Sequence, residues 1–479
     1  MADFYAGSPL EVLALAPILV MLCIALRRRH SLCLGLSLFV LLLTLALVFV
    51  AREEAPRQLT SLFVVDSFGL FYVTVTLLAG IVVLVLGPRY LSHKDSQPEE
   101  YYVLLLIAVA GGCAMALSTH FASFYLSLEV LSVAQYGLVA YIRRDPRGTE
   151  AGLKYIVLAA ASAAFMLFGM ALIYGELGSM QFDALVYARP DQTENRLIFL
   201  GAAMIFAAVG FKLSLAPFHL WTPDVYEGAP APVTAFISTV SKIGVLAVLV
   251  RYFAFSDGEV FQALLSFVAL TAALSMIIGS LMALIQQNIK RFLAFSSVAQ
   301  MGYIFTSFVT GGELAATSTA FYVLAYAAAT LGAFGVIIVL SERTDRGHDI
   351  ERLDDYKGLY WTHPALALVL AISLLSLAGI PLTAGFLGKF YIVWAGAQAQ
   401  YWWLLGVLAL SSTIGVYYYL RVVAALFTKP DTGAALVPAP VPLSRTLTLV
   451  GLAAATLLLG IYPSPVIELI HALSASPLP

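Results

Sequence analysis

Runs of roughly 20 apolar residues, parted by short polar or Gly- and Pro-bearing segments, recur along the whole chain, and that is the length an α-helix needs to cross a bilayer. Cutting at the interruptions predicts about fourteen spans, at roughly 8–27, 31–50, 62–86, 101–118, 120–142, 151–174, 197–227, 231–254, 259–285, 289–309, 314–341, 363–398, 401–427 and 444–470. The pattern is that of an all-α polytopic membrane protein. Leu10 to Leu26 has neither the charged flank nor the small-residue cleavage site of a removable signal, so it reads as a permanent first span. Two spans are longer than a bilayer requires and carry proline near their middles: Pro217 and Pro223 in the seventh, Pro381 in the twelfth. Proline removes a backbone donor and clashes with the preceding turn, so each is expected to be a broken helix.

Single ionisable residues stand inside the apolar runs: Glu129 in FASFYLSLEVLSV, Lys212 in IFAAVGFKLSLAP, Lys242 in AFISTVSKIGVLAV and Lys389 in TAGFLGKFYIVW. A charge at mid-bilayer costs at least about 2.5 to 3.5 kcal/mol on insertion scales, so such residues usually face the bundle interior and mark ion or proton routes. Lysine suits proton traffic, because burial favours the neutral amine and a neighbouring carboxylate favours the ammonium. The competing reading, a lysine snorkelling to an interface, fits poorly with positions this deep in apolar sequence. Lys212 and Lys389 also lie within about two helical turns of the expected breaks, where unwound backbone would help to hold or release a proton.

Pro217 and Pro381 occupy matching places in two five-span blocks, about 101–254 and 255–427, preceded by a three-span segment (1–100) and followed by one C-terminal span (428–479). An odd number of helices per block makes the copies inverted across the membrane. Paired broken helices in inverted repeats point to an ion-handling site near the midplane.

Composition narrows the class further. With 61% hydrophobic and 11% charged residues and a mean hydropathy of +0.91, an ordinary soluble globule is excluded. The formal charge of −2 hides a positional bias. Connections one, three, five, nine and eleven carry Arg27-Arg28-Arg29, Arg89 with Lys94, Arg143-Arg144 with Arg147, Lys290-Arg291, and the mixed loop from Arg343 to Lys357, whereas the others hold little beyond Arg52, Arg57, Arg189 and Arg196. By the positive-inside rule both termini then face away from the cytoplasm; taken singly, each arginine is equally well explained by headgroup contact. Cys23, Cys33 and Cys113 lie far apart in apolar helices and read as small core residues, without metal or cluster spacing. No dinucleotide fingerprint or nucleotide loop is present, so any energy source must lie in partner chains.

Several long segments together resemble one family. LEVLSVAQYGLVAY (128–141), EAGLKYIVLAAASAAFMLFGMALIYG (150–175), FKLSLAPFHLWTPDVYEGAPAPVTAFISTVSKI (211–243), NIKRFLAFSSVAQMGY (288–303), AGIPLTAGFLGKFY (378–391) and GVYYYLRVV (415–423) are similar to the antiporter-like subunits of respiratory complex I and of Mrp-type sodium/proton antiporters. Within the family, EAGLKY and YYYLR look most like the N-type, or chain 2, branch, and a length of about fourteen spans agrees. The resemblance implies functional positions at Glu129, Lys212, Lys242, Lys290 and Lys389, matches Lys154 to a recurring lysine, and puts His219, inside the seventh-span break, at a recurrent position. Lys154 and Lys290 lie near expected cytoplasmic boundaries, where retention of positive charge alone would also explain them; His219 could relay protons or serve as a hydrogen-bonded structural residue. His120, His348 and His363 sit at expected helix ends or in a loop and read as solvated. Where relatives often carry histidine in an SSxxHxGY pattern, this chain has Gln300, which cannot titrate.

The resemblance implies a proton-translocating membrane subunit of NADH-quinone oxidoreductase, with NAD, FMN, iron–sulfur clusters and quinone held by partner subunits and none by this chain. Protons would pass from Lys212, whose charge Glu129 stabilises, to Lys242 and on to Lys389 for release. Residue depth counted along the spans puts Glu129 shallower than Lys212, so their pairing rests on the resemblance. Two other readings compete: a cation/proton antiporter subunit of the Mrp or membrane-hydrogenase type, and an independent solute transporter.

Overall fold

The fold is known from a computed structural model that describes residues 2–94, 97–186, 196–253, 259–342, 349–429 and 441–474. Among these residues, thirteen helices are long and apolar enough to cross a membrane, and Pro364–Ala378 is a shorter apolar one. In chain order the helices are α1 (Ala2–Leu26), α2 (His30–Glu54), α3 (Ser67–Lys94), α4 (Glu99–Ala116), α5 (Phe121–Val139), α6 (Pro146–Leu177), the short α7 (Phe182–Val186), α8 (Arg196–Leu213), α9 (Trp221–Gly228), α10 (Ala231–Phe253), α11 (Glu259–Ile285), α12 (Ile289–Thr310), α13 (Gly312–Ser341), the one-turn α14 (Leu359–Thr362), α15 (Pro364–Ala378), α16 (Ala384–Gln398), α17 (Trp402–Phe427), α18 (Leu443–Ile461) and α19 (Ser464–Ser474).

Departures from the sequence expectation have local causes. The third span starts at Ser67 and not near 62, because RQLT and FVV pair as a two-stranded antiparallel hairpin, Arg57–Thr60 with Phe63–Val65, whose β-branched and apolar residues suit a pleated, half-buried ribbon. The last span is two helices, since Pro463 ends α18 by disfavouring helical backbone at Tyr462 before it.

Both long spans are interrupted. In the seventh, α8 stops at Leu213, Ser214 takes a left-handed φ of 63°, and the amide of Leu215 reaches back 2.8 Å to the carbonyl of Gly210. Pro223 is not part of the break: it lies in the first turn of α9, where a missing amide costs nothing. In the twelfth, α15 ends on Gly379 at φ 82°, Leu382 sits at φ 73°, and α16 begins after Thr383. A left-handed non-glycine residue costs of order 1–3 kcal/mol unless its surroundings fix it, and one occurs beside each of Pro217 and Pro381.

Layering places polar sequence at the centre. The membrane windows of α10 and α12 are wholly buried, while α1, α2, α6 and α18 keep broad exposed faces. α10 packs on α3, α4 and α13, and α12 packs on α11, α9, α13 and α16. α6 and α8 approach closely through Gly169 and Gly201; a Cβ on either would stand 2.6–2.7 Å from the other's carbonyl oxygen. Cys33 and Cys113 are buried and Cys23 half-buried, all unpaired.

Candidate functional site

Three lysines lie on the buried axis of the bundle, and each is held by neutral oxygens. Lys212, 3% exposed near the end of α8, donates to Ser132 Oγ at 2.9 Å, Gln135 Oε1 at 2.9 Å and the Tyr155 hydroxyl at 3.1 Å. Tyr155 donates to Gln135 Oε1 at 2.9 Å, and the Gln135 Nε2 group is buried without a partner. Trp221 fixes this corner by stacking on Tyr155, ring centroids 4.8 Å apart, while donating from its indole to the Phe211 carbonyl at 2.8 Å. Glu129 is half-buried one turn before Ser132 on α5. It is not ion-paired to Lys212 among the described residues; the two line a common narrow void of ≈ 10 Å³, about the size that admits one water.

Lys242, 1% exposed, extends from α10 to Ser297 Oγ on α12 at 2.5 Å. Ser297 in turn meets the Tyr326 hydroxyl at 2.7 Å, and Tyr326 donates to the Ser238 carbonyl at 3.0 Å. Lys389, 7% exposed, points from α16 into the break, donating to the Ala378 carbonyl at 2.9 Å and Ser412 Oγ at 3.1 Å, with its ammonium 4.6 Å from the centre of the Tyr303 ring.

α12 links the last two lysines. Ser297, Gln300 and Tyr303 follow at three-residue spacing on one side of this helix. Gln300 accepts from Tyr322 and donates to the Leu377 carbonyl at 2.9 Å and to Tyr419 at 3.2 Å; Tyr419 also meets Ser296; Tyr303 meets Ser411 at 2.9 Å. The sequence marks Gln300 only as a missing histidine, but its amide joins α13 and α17 through hydroxyls and α15 through a carbonyl. Between Lys212 and Lys242 no direct hydrogen bond runs among the described residues. Tyr226 lies in that interval, its ring 6.3 Å from that of Trp221 and its buried hydroxyl towards Ser297.

The other sequence candidates fall elsewhere. His219 lies in the break of the seventh span, buried against Phe295 with Nδ1 unpartnered. Lys154 is partly exposed and bridges Glu150 and Asp224, each at 2.8 Å; Asp224 also pairs with Arg291 at 2.8 Å, and Arg291 with Glu227 at 2.8 Å. Lys290 is not a boundary cation in water: it is 1% exposed, donating to the Ala229 carbonyl at 2.7 Å and to Asp349 at 2.9 Å. His120 is half-buried and caps α5 by accepting from Ala122 N at 3.1 Å, His363 is half-buried before α15, and His348 lies outside the described residues.

Asp349 escaped sequence reasoning altogether. Its carboxylate accepts from Lys290, from Lys94 at 2.9 Å and from the Tyr90 hydroxyl at 2.6 Å, tying α3 and α12 to the loop before α14. Burial pushes the carboxyl up, but Lys290 and Lys94 outweigh it and hold it down at about 2. Beside it, burial raises Glu351 above the ordinary carboxyl range against the pull of Lys290. A bidentate pair between Arg251 and Asp66, at 2.5 and 2.8 Å, closes the other end of α3 and α10. Asp349 and Glu351 were invisible in the sequence because each sits among ordinary loop charges, whereas Asp66 stands alone in the apolar run FVVDSFGL at the edge of the expected third span, and only the fold shows its partner. Among the described residues no cluster of three or more His, Cys, Asp or Glu could hold a metal ion.

Comparison with known proteins bears on the chain as a whole. Residues 118–415 match the family described as NADH:quinone oxidoreductase/Mrp antiporter, TM. The chain is similar to the NADH-quinone oxidoreductase subunit N of Ectopseudomonas mendocina, 43% identical over 97% of this chain and 95% of that one. It is also similar to a chain of respiratory complex I from Thermus thermophilus, with a TM-score of 0.81 and 31% identity, covering 96% of this chain and 98% of the other. A chain of the Mrp complex from Dietzia shares the fold, with a TM-score of 0.85 at 23% identity over 98% of this chain and 97% of that one.

Proposed function

Because this chain belongs to the NADH:quinone oxidoreductase/Mrp antiporter family of membrane subunits, we propose that it carries protons in an NADH-quinone oxidoreductase through Lys212, Lys242 and Lys389, driven by redox chemistry in partner subunits. The supporting observation is that three deeply buried amines are each bonded to neutral oxygens and to no carboxylate among the described residues. A lysine committed to a buried ion pair stays an ammonium. One held by hydroxyls can exist in both states, because a hydroxyl that accepts from an ammonium can rotate to donate to an amine. Gln135 extends this at Lys212: its unpartnered amide NH₂ can turn to donate once the lysine is neutral.

Glu129 sets the bias of the first site. When its charge faces Lys212 across the shared void, the ammonium is favoured; when it is neutralised or turned away, the proton moves on. Tyr226 lies in the interval to Lys242, and the α12 face of Ser297, Gln300 and Tyr303 continues to Lys389, where release completes the transfer. The grouping of Lys94, Arg147, Lys154, Lys290 and Arg291 at one end of the bundle supports a topology with both termini away from the cytoplasm in a bacterial inner membrane. The paired breaks at Pro217 and Pro381 support the inverted five-helix repeats at 101–254 and 255–427. An Mrp-type antiporter shares the fold, but the extent of identity to subunit N favours the respiratory complex.

The test is proton transfer per NADH oxidised in inverted vesicles containing equal amounts of assembled complex. Lys212→Ala lowers this ratio severely, and Glu129→Gln lowers it more than Glu129→Asp, which keeps the charge at the loss of one methylene. An assembled Lys212→Ala complex with an unchanged ratio contradicts the reading.

A further inference from the structure

We propose that the phosphate of an anionic phospholipid occupies a cavity between the end of α3 and the facing ends of α4 and α5, held by Arg143 and Arg144. The cavity measures ≈ 460 Å³ and is lined on one side by Lys94, Glu100, Arg143 and Arg144 and on the other by Leu104 and Gly137. Its charges are unbalanced. Lys94 is matched by Asp349, and Glu100 by Arg28, but Arg143 and Arg144 are exposed and have no hydrogen-bond or ion-pair partner among the described residues. A water-facing arginine does not need one; two beside a concave site at the membrane boundary offer a site of net charge about +2 to a phosphate diester, which guanidinium groups bind through paired donors.

The apolar side specifies a lipid over a free anion. Gly137 leaves the α5 surface open where Leu104 of α4 approaches, a Cβ there standing only 3.1 Å from the leucine. From it, exposed Val133, Val130 and Leu126 run along one stripe of α5 towards the middle of the membrane, a track for an acyl chain. The rim is fixed: the Tyr141 hydroxyl donates to the Gln97 carbonyl at 2.7 Å and accepts from the Tyr101 amide at 2.9 Å, and tyrosine is favoured at the headgroup level.

The experiment reconstitutes the assembled complex with phosphatidylglycerol carrying a photoreactive acyl chain and maps adducts by peptide mass spectrometry. Adducts are expected on 126–144, suppressed by excess unlabelled phosphatidylglycerol but not by phosphatidylcholine or inorganic phosphate. With each basic residue near an anionic headgroup worth about fivefold, the double change Arg143→Gln with Arg144→Gln weakens this labelling by roughly twenty-five-fold, while Arg143→Lys with Arg144→Lys retains most of it. Equal competition by phosphatidylcholine, suppression by inorganic phosphate alone, labelling undiminished in the glutamine variant, or cross-linking of this segment to an acidic stretch of a partner subunit in place of lipid overturns the proposal. If the glutamine variant fails to assemble, the competition on the parent complex alone decides.

Discussion

What a buried lysine does depends on what it touches, and this chain separates the possibilities residue by residue. Lys212, Lys242 and Lys389 meet hydroxyl, amide and carbonyl oxygens, whereas Lys290 meets the Asp349 carboxylate at 2.9 Å as half of a buried ion pair. Its place beside the relay is structural in this account. Replacing Asp349 by Asn leaves buried Lys290 with only the Glu351 carboxylate, 3.9 Å away, against its charge; a broken buried pair costs up to about 3 to 5 kcal/mol, and the melting temperature of the purified complex is expected to fall. The sign with pH follows. Because the Asp349 carboxyl is held down at about 2, its stabilisation is complete above the ordinary carboxyl range and is lost as pH falls through that value; Asp349→Asn removes that acid-limb loss. A melting temperature equal to the parent's at neutral pH contradicts the assignment. The four relay candidates were legible in the sequence because a charge in a long apolar run has few innocent explanations. Asp349 was not, since a carboxylate in a loop of mixed charge looks solvated until the fold closes over it, and Ser132, Gln135, Tyr155 and Ser297 stood within the family segments without any mark of what they would hold.

At the scale of single elements, the two breaks are the features on which the proposed relay depends. Both were readable from proline in spans too long for a bilayer, although Pro223 proved to be a first-turn residue of α9. The break at Gly379 is built around Lys389: the glycine has φ 82°, and a Cβ there would stand 2.8 Å from the lysine Cδ. Gly379→Ala is therefore expected to strain the turn by about 1 kcal/mol or more and to push the lysine off Ala378 and Ser412. The complex should assemble with a reduced number of protons per NADH; an unchanged ratio means that the break does not position the amine. α12 gives the complementary case. Gln300 bonds Tyr322, Tyr419 and Leu377 and cannot itself titrate, so in the proposed relay the neighbouring hydroxyls take the proton past it. Gln300→His restores a titratable ring at that point and should leave pumping near normal, whereas severe loss, equal to that of Lys242→Ala, would show that the amide geometry itself is needed.

At the scale of the whole molecule, the chain arranges its polar groups across the membrane as well as through it. The wholly buried α10 and α12 carry Lys242 and the Ser297–Tyr303 face, α8 and α16 bring Lys212 and Lys389 in from either side through their breaks, and the ion pairs gather at the ends of the bundle. Members of the family work with other membrane subunits of a complex, and the proposed account places the driving chemistry there. The proposed relay differs from a fixed polar core in requiring its amines to alternate between two protonation states, and Lys389, last in the proposed order, tests that most directly. Arginine keeps the positive charge but does not lose its proton. The measurement is protons transferred per NADH oxidised by inverted vesicles with equal assembled complex, comparing Lys389→Arg with the parent and with Lys389→Ala. The account predicts that Lys389→Arg is as impaired as Lys389→Ala; a Lys389→Arg complex that pumps like the parent would make this lysine a fixed structural charge and contradict it.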